Sequence, residues 1–277
     1  MLMEWRSLSR TEAKVVLSLE EEGVTDVSLE GIRTRARIST GFARKVAHAL
    51  VKKGWLQRLG RGRYLLNPGR HGPEAVPETD PLRIGGHLVT PYYFGFATAA
   101  ELLGFLPQAS RVYYIVTSRP GRPIWPFAPA FRRIAVPPKR FFGRQRMTRR
   151  GESIFVSDPE RTVIDCLNRP EYSGGLAGVV QVIESAGRRL DWSRLARYLD
   201  RLGRRSTTLR LGFLLESLQL SPRPPVGWLE RARPNAGEPY VPLGAPKEFG
   251  RRGAYDRRWH VIRNVPEPLL RAEVDIR

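Results

Sequence analysis

The sequence predicts an α+β protein of two domains: an N-terminal winged helix-turn-helix domain and a C-terminal α/β domain, a small sheet with surrounding helices. Three helical patterns and two short strand patterns fill residues 1–67, and a proline-rich linker follows at 68–89. Residues 90–277 mix apolar strand runs with amphipathic helices. A chain of 277 residues is long enough for two hydrophobic cores.

The first two helices begin at recognisable N-caps. Ser9 and Glu12 have the spacing of a capping box, in which each side chain bonds the other residue's backbone N–H. Ser28 is the expected cap of the second helix. A turn near Arg37 then leads to Ser39, the expected cap of a third helix.

The third helix has an apolar side and a polar side. Phe42, Val46, Ala49 and Leu50 recur at helical spacing and predict a buried stripe. After this helix, "WLQRL" and "RYLL" alternate as strands do, and Gly60-Arg61-Gly62 supplies the positive φ angles of a tight turn. Three helices followed by a basic hairpin predict the winged helix-turn-helix.

This arrangement suits double-stranded DNA, because such a helix fits the major groove while wing arginines reach phosphates or the minor groove. The predicted DNA-binding residues lie on the third helix and its cap, on the second helix and on the wing: Ser39, Thr40, Arg44, Lys45, His48, Lys52, Arg33, Arg35, Arg37, Arg58, Arg61 and Arg63. Two alternatives stay open at this point: winged helices also mediate protein contacts, and a basic helix face is often only solvated.

The overall charge also favours a polyanionic partner. The chain has 47 basic and 27 acidic residues, a net charge of +20 and a pI of 11.1. Because lysine occurs at only six positions, the arginine excess can partly reflect a GC-rich genome, so the placement of the charges matters more than their sum. A second basic patch without any acid comprises Lys139, Arg140, Arg144, Arg146, Arg149 and Arg150. It could bind phosphates, an RNA or an acidic protein surface, or be a solvated loop.

Strand-like runs occur in the second domain at 111–118, 131–136 and 153–156, and "RWHVIRNV" is expected as a last edge strand. Asp158 followed by Pro159 begins a helix cleanly. Further helices are expected at about 97–103 and at 175–187, 191–202 and 206–220.

Signatures of catalysis are weak. The four histidines are scattered, and no cysteine and histidine spacing suits a metal, so no enzyme, cofactor or metal is expected. Asp158 is explained by capping and Asp165 by an ion pair with Arg161 four residues earlier. The competing hypothesis places an active site at these two carboxylates. A third hypothesis is a ligand pocket lined by aromatic residues, namely Tyr92, Tyr93, Phe94, Phe96, Tyr113 and Tyr114.

The single cysteine, Cys166, excludes an internal disulfide and reads as a core residue. No apolar run has the length of a signal-peptide core or a membrane span. We therefore expect a cytoplasmic protein without a membrane partner. No heptad seam is present, so we expect a monomer or weak self-association, with two copies meeting on DNA.

Between about residues 9 and 220 the chain resembles the AbiEi antitoxins of bacterial abortive-infection systems. The segments that carry this resemblance are "PYYFGFATAAELLG" and, most specifically, "SDPERTVIDCLNRPEYSGG". The resemblance implies a transcriptional autorepressor that binds inverted repeats in its own promoter. It also implies an antitoxin that counters an AbiEii-like nucleotidyltransferase toxin without a stable complex, which is type IV behaviour. The alternative is a stand-alone winged-helix transcriptional regulator with a C-terminal ligand- or protein-binding domain.

The matching DNA contacts are those already named on the third helix and in the wing: Thr40, Arg44, Lys45, His48, Arg61 and Arg63. For toxin neutralisation, no motif transfers residue by residue.

Overall fold

The structure is a computed structural model that describes residues 6–72, 80–107, 111–121, 124, 130–149, 151–220, 223–266 and 268. The chain divides into two compact units, of which the first contains residues 1–90 and the second residues 91–122 and 129–277. Helices and mixed sheets confirm the predicted α+β class.

The first unit has three helices, a three-stranded sheet and a fourth helix. In chain order these are α1 (Arg10–Glu21), β1 (Asp26–Ser28), α2 (Leu29–Ala36), α3 (Thr40–Lys52), β2 (Leu56–Gly60), β3 (Arg63–Leu66) and α4 (Pro81–Leu88). The strands pair antiparallel in the order β1-β3-β2. The short β1, which the sequence pattern did not reveal, pairs with β3 and adds a third strand to the hairpin.

All three predicted N-caps are confirmed. The Ser9 backbone N–H donates to Glu12 Oε2 at 2.7 Å, and Glu12 N–H donates to Ser9 Oγ at 3.4 Å, which is the reciprocal capping box. Ser28 Oγ and Ser39 Oγ accept from the third residue of α2 and of α3 at 2.9 and 3.3 Å. These caps fix where each helix begins.

The buried stripe of α3 differs from the prediction. Ala43, Val46, Ala47 and Leu50 face the core, whereas Phe42 is 46% exposed and Ala49 is half-buried. The buried positions follow the spacing i, i+3, i+4, i+7, and Phe42 lies on the helix at the edge of that arc. Val46 and Leu50 were therefore predicted correctly, while Ala43 and Ala47 take the places expected for Phe42 and Ala49.

The hairpin turn is built differently from the prediction. Only Gly62 has a positive φ, +68°, and it follows Arg61 in the turn. Gly60 belongs to β2, where the register shifts between Arg58 and Gly60. The bulge at this point takes up the extra residue, so one left-handed glycine is sufficient.

Part of the predicted linker is helical and belongs to the first unit. Asp80 caps α4 by accepting from Leu82 N–H at 3.0 Å, with Pro81 at the first helical position. At its other end, the Leu88 carbonyl accepts from Arg63 Nη1 at 3.1 Å. One of the prolines that suggested a linker, Pro81, is therefore the first residue of a helix. Residues 73–79 lie outside the described residues.

The second unit contains two sheets. Strands β4 (Tyr93–Phe94), β5 (Tyr113–Thr117), β6 (Phe131–Ala135), β7 (Arg144–Arg149) and β8 (Glu152–Ser157) pair in the order β6-β5-β4-β8-β7. This sheet is mixed, with β5 and β6 parallel and β7 and β8 antiparallel. A smaller sheet has the order β10-β11-β9, from β9 (Val241–Pro242), β10 (Ala254–Asp256) and β11 (Val261–Arg263).

One expectation for these strands was wrong, and one of the open alternatives does not hold. "RWHVIRNV" contains β11, which is the middle strand of the small sheet rather than an edge, because β9 and β10 are too short for their patterns to show. The arginine run is largely a strand rather than a loop: β7 alternates exposed and half-buried residues and pairs with β8 along its whole length. Arginine side chains on one face hid that alternation in the sequence.

The second unit is rich in helices, of which the first two in chain order pack on the large sheet and the fifth on the small one. They are α5 (Phe96–Leu102), α6 (Pro159–Asn168), α7 (Gly175–Ala186), α8 (Trp192–Leu202), α9 (Arg205–Ser217), α10 (Trp228–Ala232) and α11 (Pro246–Phe249). The four helices expected at about 97–103, 175–187, 191–202 and 206–220 are confirmed to within a few residues as α5, α7, α8 and α9. Helix α6 lies at the centre, packed against α5, α7, α8 and α9, and residues 160–167 are all buried.

Candidate nucleic-acid interface

The exposed face of α3 is basic and contains no acid. Lys45, His48 and Lys52 lie opposite the buried stripe, and Thr40 and Arg44 lie beside them on the same face. All five side chains are exposed, and none of them forms an ion pair among the residues that the structure describes. The helix thus presents unneutralised cations over about three turns.

Phe42 adds an apolar side chain to this surface, and sequence reasoning missed it. It is 46% exposed, near the beginning of α3. An exposed aromatic ring among cations suits contact with a thymine methyl group or with the apolar part of a sugar. The sequence did contain a sign of this exposure, because Ala43, Val46 and Ala47 form an alternative apolar stripe that leaves Phe42 outside the core.

The three arginines of α2 are not equivalent. Arg33 binds Glu30 with Nη2–Oε1 at 2.5 Å, and Arg35 forms an ion pair with Glu22. Arg37 follows α2 in the left-handed conformation at φ 54° and is exposed. The first two are partly neutralised within the protein, so Arg37 is the arginine in this group that the fold leaves most accessible.

The β2–β3 hairpin, which the sequence predicts to be the wing, also contains exposed and paired arginines. Arg58 and Arg61 are exposed at the turn end of the hairpin. Arg63, by contrast, forms an ion pair with Asp26 and also donates to the carbonyls of His87 and Leu88, the latter at 3.1 Å. The structure therefore places Arg61 as an available wing residue and gives Arg63 a structural task, which holds α4 against the sheet.

The second basic patch lies in the second unit. Lys139 and Arg140 belong to a 3-10 turn at Pro138–Arg140, and Arg144, Arg146 and Arg149 lie on β7. The Arg144 guanidinium lies 4.8 Å from the Phe155 ring centroid and 5.1 Å from that of Phe141. Arg150 lies outside the described residues.

The two carboxylates of the enzyme hypothesis stabilise the fold. Asp158 caps α6 by accepting from Arg161 N–H at 2.8 Å, and it accepts from Tyr198 OH at 2.9 Å. Arg161 Nη2 binds Asp165 Oδ1 at 2.9 Å, with both side chains almost fully buried. The predicted cap and ion pair are confirmed, and the pair does not open into a cleft.

The electrostatics of this pair follow from its burial. Desolvation by itself lowers the pKa of Arg161, but the neighbouring Asp165 carboxylate reverses that effect and raises it. Tyr93, whose OH donates to Asp165 Oδ2 at 3.2 Å, has a pKa raised well above its ordinary value by the same burial. Such a network specifies one packing of α6 on the sheet.

The aromatic residues of the pocket hypothesis mostly form core. Tyr92, Tyr93, Phe94 and Phe96 are at most 7% exposed. Tyr93 packs on Phe141 with ring centroids 5.4 Å apart, and Phe96 contacts Tyr114 and Tyr172. These rings fill the space that a ligand would need.

Neither metal clusters nor membrane helices are found in the described part of the chain. Groups of three or more histidine, cysteine or carboxylate side chains suited to a metal do not occur there. Within the same residues, no helix is long and apolar enough to cross a membrane. Cys166 is buried next to Asp165, and burial raises its pKa to about 12, which leaves it an unreactive core thiol.

Comparison with known proteins finds a family similarity in the second unit. Residues 93–217 match the family model described as AbiEi antitoxin C-terminal domain. We call this segment the AbiEi domain because of that similarity. The match begins at β4 and ends with α9, so the AbiEi domain covers the large sheet and the helices around α6, and the family resemblance seen in the sequence is confirmed.

The whole chain also resembles a solved structure. The crystal structure of the RV2827C protein from Mycobacterium tuberculosis matches with a TM-score of 0.65 and 20% sequence identity over 96% of each chain. At that identity the likeness establishes the fold alone. No curated protein matches the chain. The AbiEi domain supports a toxin–antitoxin and regulatory role for this protein.

Proposed function

We propose that the protein is a DNA-binding transcriptional autorepressor and the antitoxin of an AbiE-like type IV toxin–antitoxin system. Its first unit binds inverted repeats in its own promoter, and its AbiEi domain neutralises a nucleotidyltransferase-like toxin. The observation that carries the DNA half is the acid-free, exposed face of α3. The AbiEi domain match supports the antitoxin half.

In this proposal α3 lies in the major groove. Arg44 and Lys45 reach base edges or phosphates, and Ser39 and Thr40 lie at the end of the helix where the backbone N–H groups favour a phosphate. Arg37, Arg58 and Arg61 contact the DNA backbone on either side. Two copies meet on a two-fold operator, because each copy carries one such helix.

DNA binding is tested by fluorescence anisotropy with the upstream DNA and a scrambled duplex over a series of salt concentrations. Arg44→Ala/Lys45→Ala is expected to weaken operator binding at least roughly tenfold, since each lost contact contributes about 1–3 kcal/mol. If both residues bind phosphates, the slope of log K against log salt falls by about 1.8.

The matched control is Arg251→Ala/Arg252→Ala, which removes the same two charges from exposed positions of the second unit. It is expected to leave operator affinity nearly unchanged. Equal weakening by both double variants, or equal wild-type affinity for both duplexes, would show that the +20 charge acts only as a general attraction.

The antitoxin half is tested by co-expression with a nucleotidyltransferase encoded next to this gene. The wild type and the Arg44→Ala/Lys45→Ala variant are both expected to restore growth, because neutralisation is assigned to the AbiEi domain. Size-exclusion chromatography of the mixture should show two separate proteins if the behaviour is type IV. Failure of the wild type to restore growth refutes this half and leaves the DNA result standing.

A further inference from the structure

A cluster of arginines lies on the AbiEi domain, and the proposed function does not use it. We call Arg140, Arg169 and Arg204 the arginine triad. They come from three different segments: the 3-10 turn before β7, the end of α6 and the connection between α8 and α9. Because α8 packs against the turn and against α6, the fold brings these segments together.

The triad is not neutralised by the protein. None of the three guanidinium groups forms an ion pair with a carboxylate among the described residues. Arg204 Nη1 donates to the Asn168 side chain at 3.0 Å, and Arg169 Nη1 donates to Tyr172 OH at 3.3 Å, so neutral partners orient two of them. The Nε of Arg140 is buried without a hydrogen-bond partner.

Like charges in this arrangement repel one another. Burial, followed by the charges of Arg140 and Arg169, lowers the pKa of Arg204. Arg210, which is deeper, donates to the carbonyls of Leu167 and Pro242 at 3.2 and 2.9 Å and has its own lowered pKa, caused mainly by burial. Bringing together cations that no carboxylate pairs with costs free energy, and a bound anion would recover it.

The Tyr172 ring connects the triad to a further arginine. The Arg169 and Arg132 guanidinium groups lie 5.5 and 5.3 Å from the Tyr172 ring centroid, and Tyr114 stacks on the same ring at 5.1 Å. Two exposed carboxylates are close: Glu171 acts on Arg210 and Tyr114, and Asp200 lines the same cavity as Arg204. Five arginines against these two acids leave a positive excess: Arg132, Arg140, Arg169, Arg204 and Arg210.

We propose that the arginine triad is a binding site for a phosphate group. Guanidinium groups match phosphate oxygens in geometry and charge, and three of them from separate segments can contact several oxygens of one group. The phosphate can belong to a free phosphate compound, a nucleotide or a single-stranded RNA. These sources share the chemistry that the triad recognises.

Calorimetric titration of the full chain with pyrophosphate tests the site, and parallel titrations with ATP and a short single-stranded RNA distinguish the sources. Arg169→Gln/Arg204→Gln is expected to raise the pyrophosphate Kd by about tenfold or more. Arg188→Gln/Arg197→Gln is the matched control, since both residues are exposed arginines in the same helical region. The control should change the Kd less than about twofold.

The outcomes separate clearly. Saturable pyrophosphate binding that the triad variant loses and the control keeps supports the site, and the probe with the lowest Kd identifies the source. No saturable binding of pyrophosphate, or equal weakening by the two variants, overturns the proposal. Circular dichroism and the unfolding midpoint of the second unit in calorimetry test whether the triad variant is folded, so a loss of phosphate binding can be separated from unfolding.

Discussion

The buried ion pair of Arg161 and Asp165 is where a single charge change should matter most for stability. Asp165→Asn keeps the shape of the side chain but leaves a guanidinium that is 2% exposed without its counter-charge. Removing one partner of such a pair costs about 3–5 kcal/mol, a large part of the roughly 5–15 kcal/mol that stabilises a typical domain. At about 2–4 °C per kcal/mol for a unit of this size, the unfolding midpoint of the second unit falls by roughly 6–20 °C.

Differential scanning calorimetry measures this midpoint, and Arg161→Met is the reciprocal variant that leaves Asp165 uncompensated. The double variant Arg161→Met/Asp165→Asn removes both charges and should be less destabilised than the sum of the two single variants. Glu230→Gln is the control, because its pair with Arg233 is half-exposed and 4.0 Å long. A change of less than about 1 kcal/mol for Asp165→Asn would refute the reasoning, since it would mean that solvent reaches the pair.

Four further predictions concern single residues. Burial raises the pKa of Glu12, but hydrogen bonds from Lys53 and Ser9 outweigh it and lower that pKa below the ordinary value of 4.5. The stability that ionised Glu12 contributes is therefore present above pH 4.5 and is lost as the pH falls through the lowered pKa. Glu12→Gln should cost roughly 1–2 kcal/mol in urea unfolding at neutral pH, and the variant should lose less stability in acid than the wild type. Ser39→Ala removes the cap of α3 and should cost about 1 kcal/mol in the same assay, together with weaker operator binding. Arg61→Gln should weaken operator binding in anisotropy without changing the unfolding midpoint. Arg63→Gln should lower the midpoint, because it loses the bonds to Asp26 and to the carbonyls at the end of α4. The opposite pattern would contradict a binding role for Arg61 and a structural role for Arg63. Gly178→Ala would place a Cβ 1.7 Å from the Ser173 carbonyl oxygen, so calorimetry should show a loss of several kcal/mol, and an unchanged midpoint would mean that the turn before α7 moves freely.

Much of the fold was readable because its signals are local. The starts of four helices could be predicted, because an N-cap side chain bonds a backbone N–H only three residues further on. These N-caps are Ser9, Ser28, Ser39 and Asp158. The Arg161 and Asp165 pair was also readable, since a helix places residues four apart on one face.

Features that depend on distant partners were not readable. Strands β1, β9 and β10 have two or three residues each, too few for any alternation to show, and they exist because a neighbouring strand pairs with them. In the candidate interface, the sequence identified the exposed cations of α3 but not the fate of Arg33, Arg35 and Arg63. Their partners at Glu30, Glu22 and Asp26 become visible only when the chain is folded.

Among the described residues, strand β7 lies at the edge of the large sheet and pairs with β8 alone. An open edge of six residues offers N–H and C=O groups to any other extended chain, including a second copy of this one. Arg144 and Arg146 are exposed on this strand, so pairing of two such strands from two copies would bring four cations together. This repulsion is expected to disfavour aggregation through β7: a variant that replaces both arginines with uncharged residues and keeps its unfolding midpoint should precipitate at a lower protein concentration than the wild type.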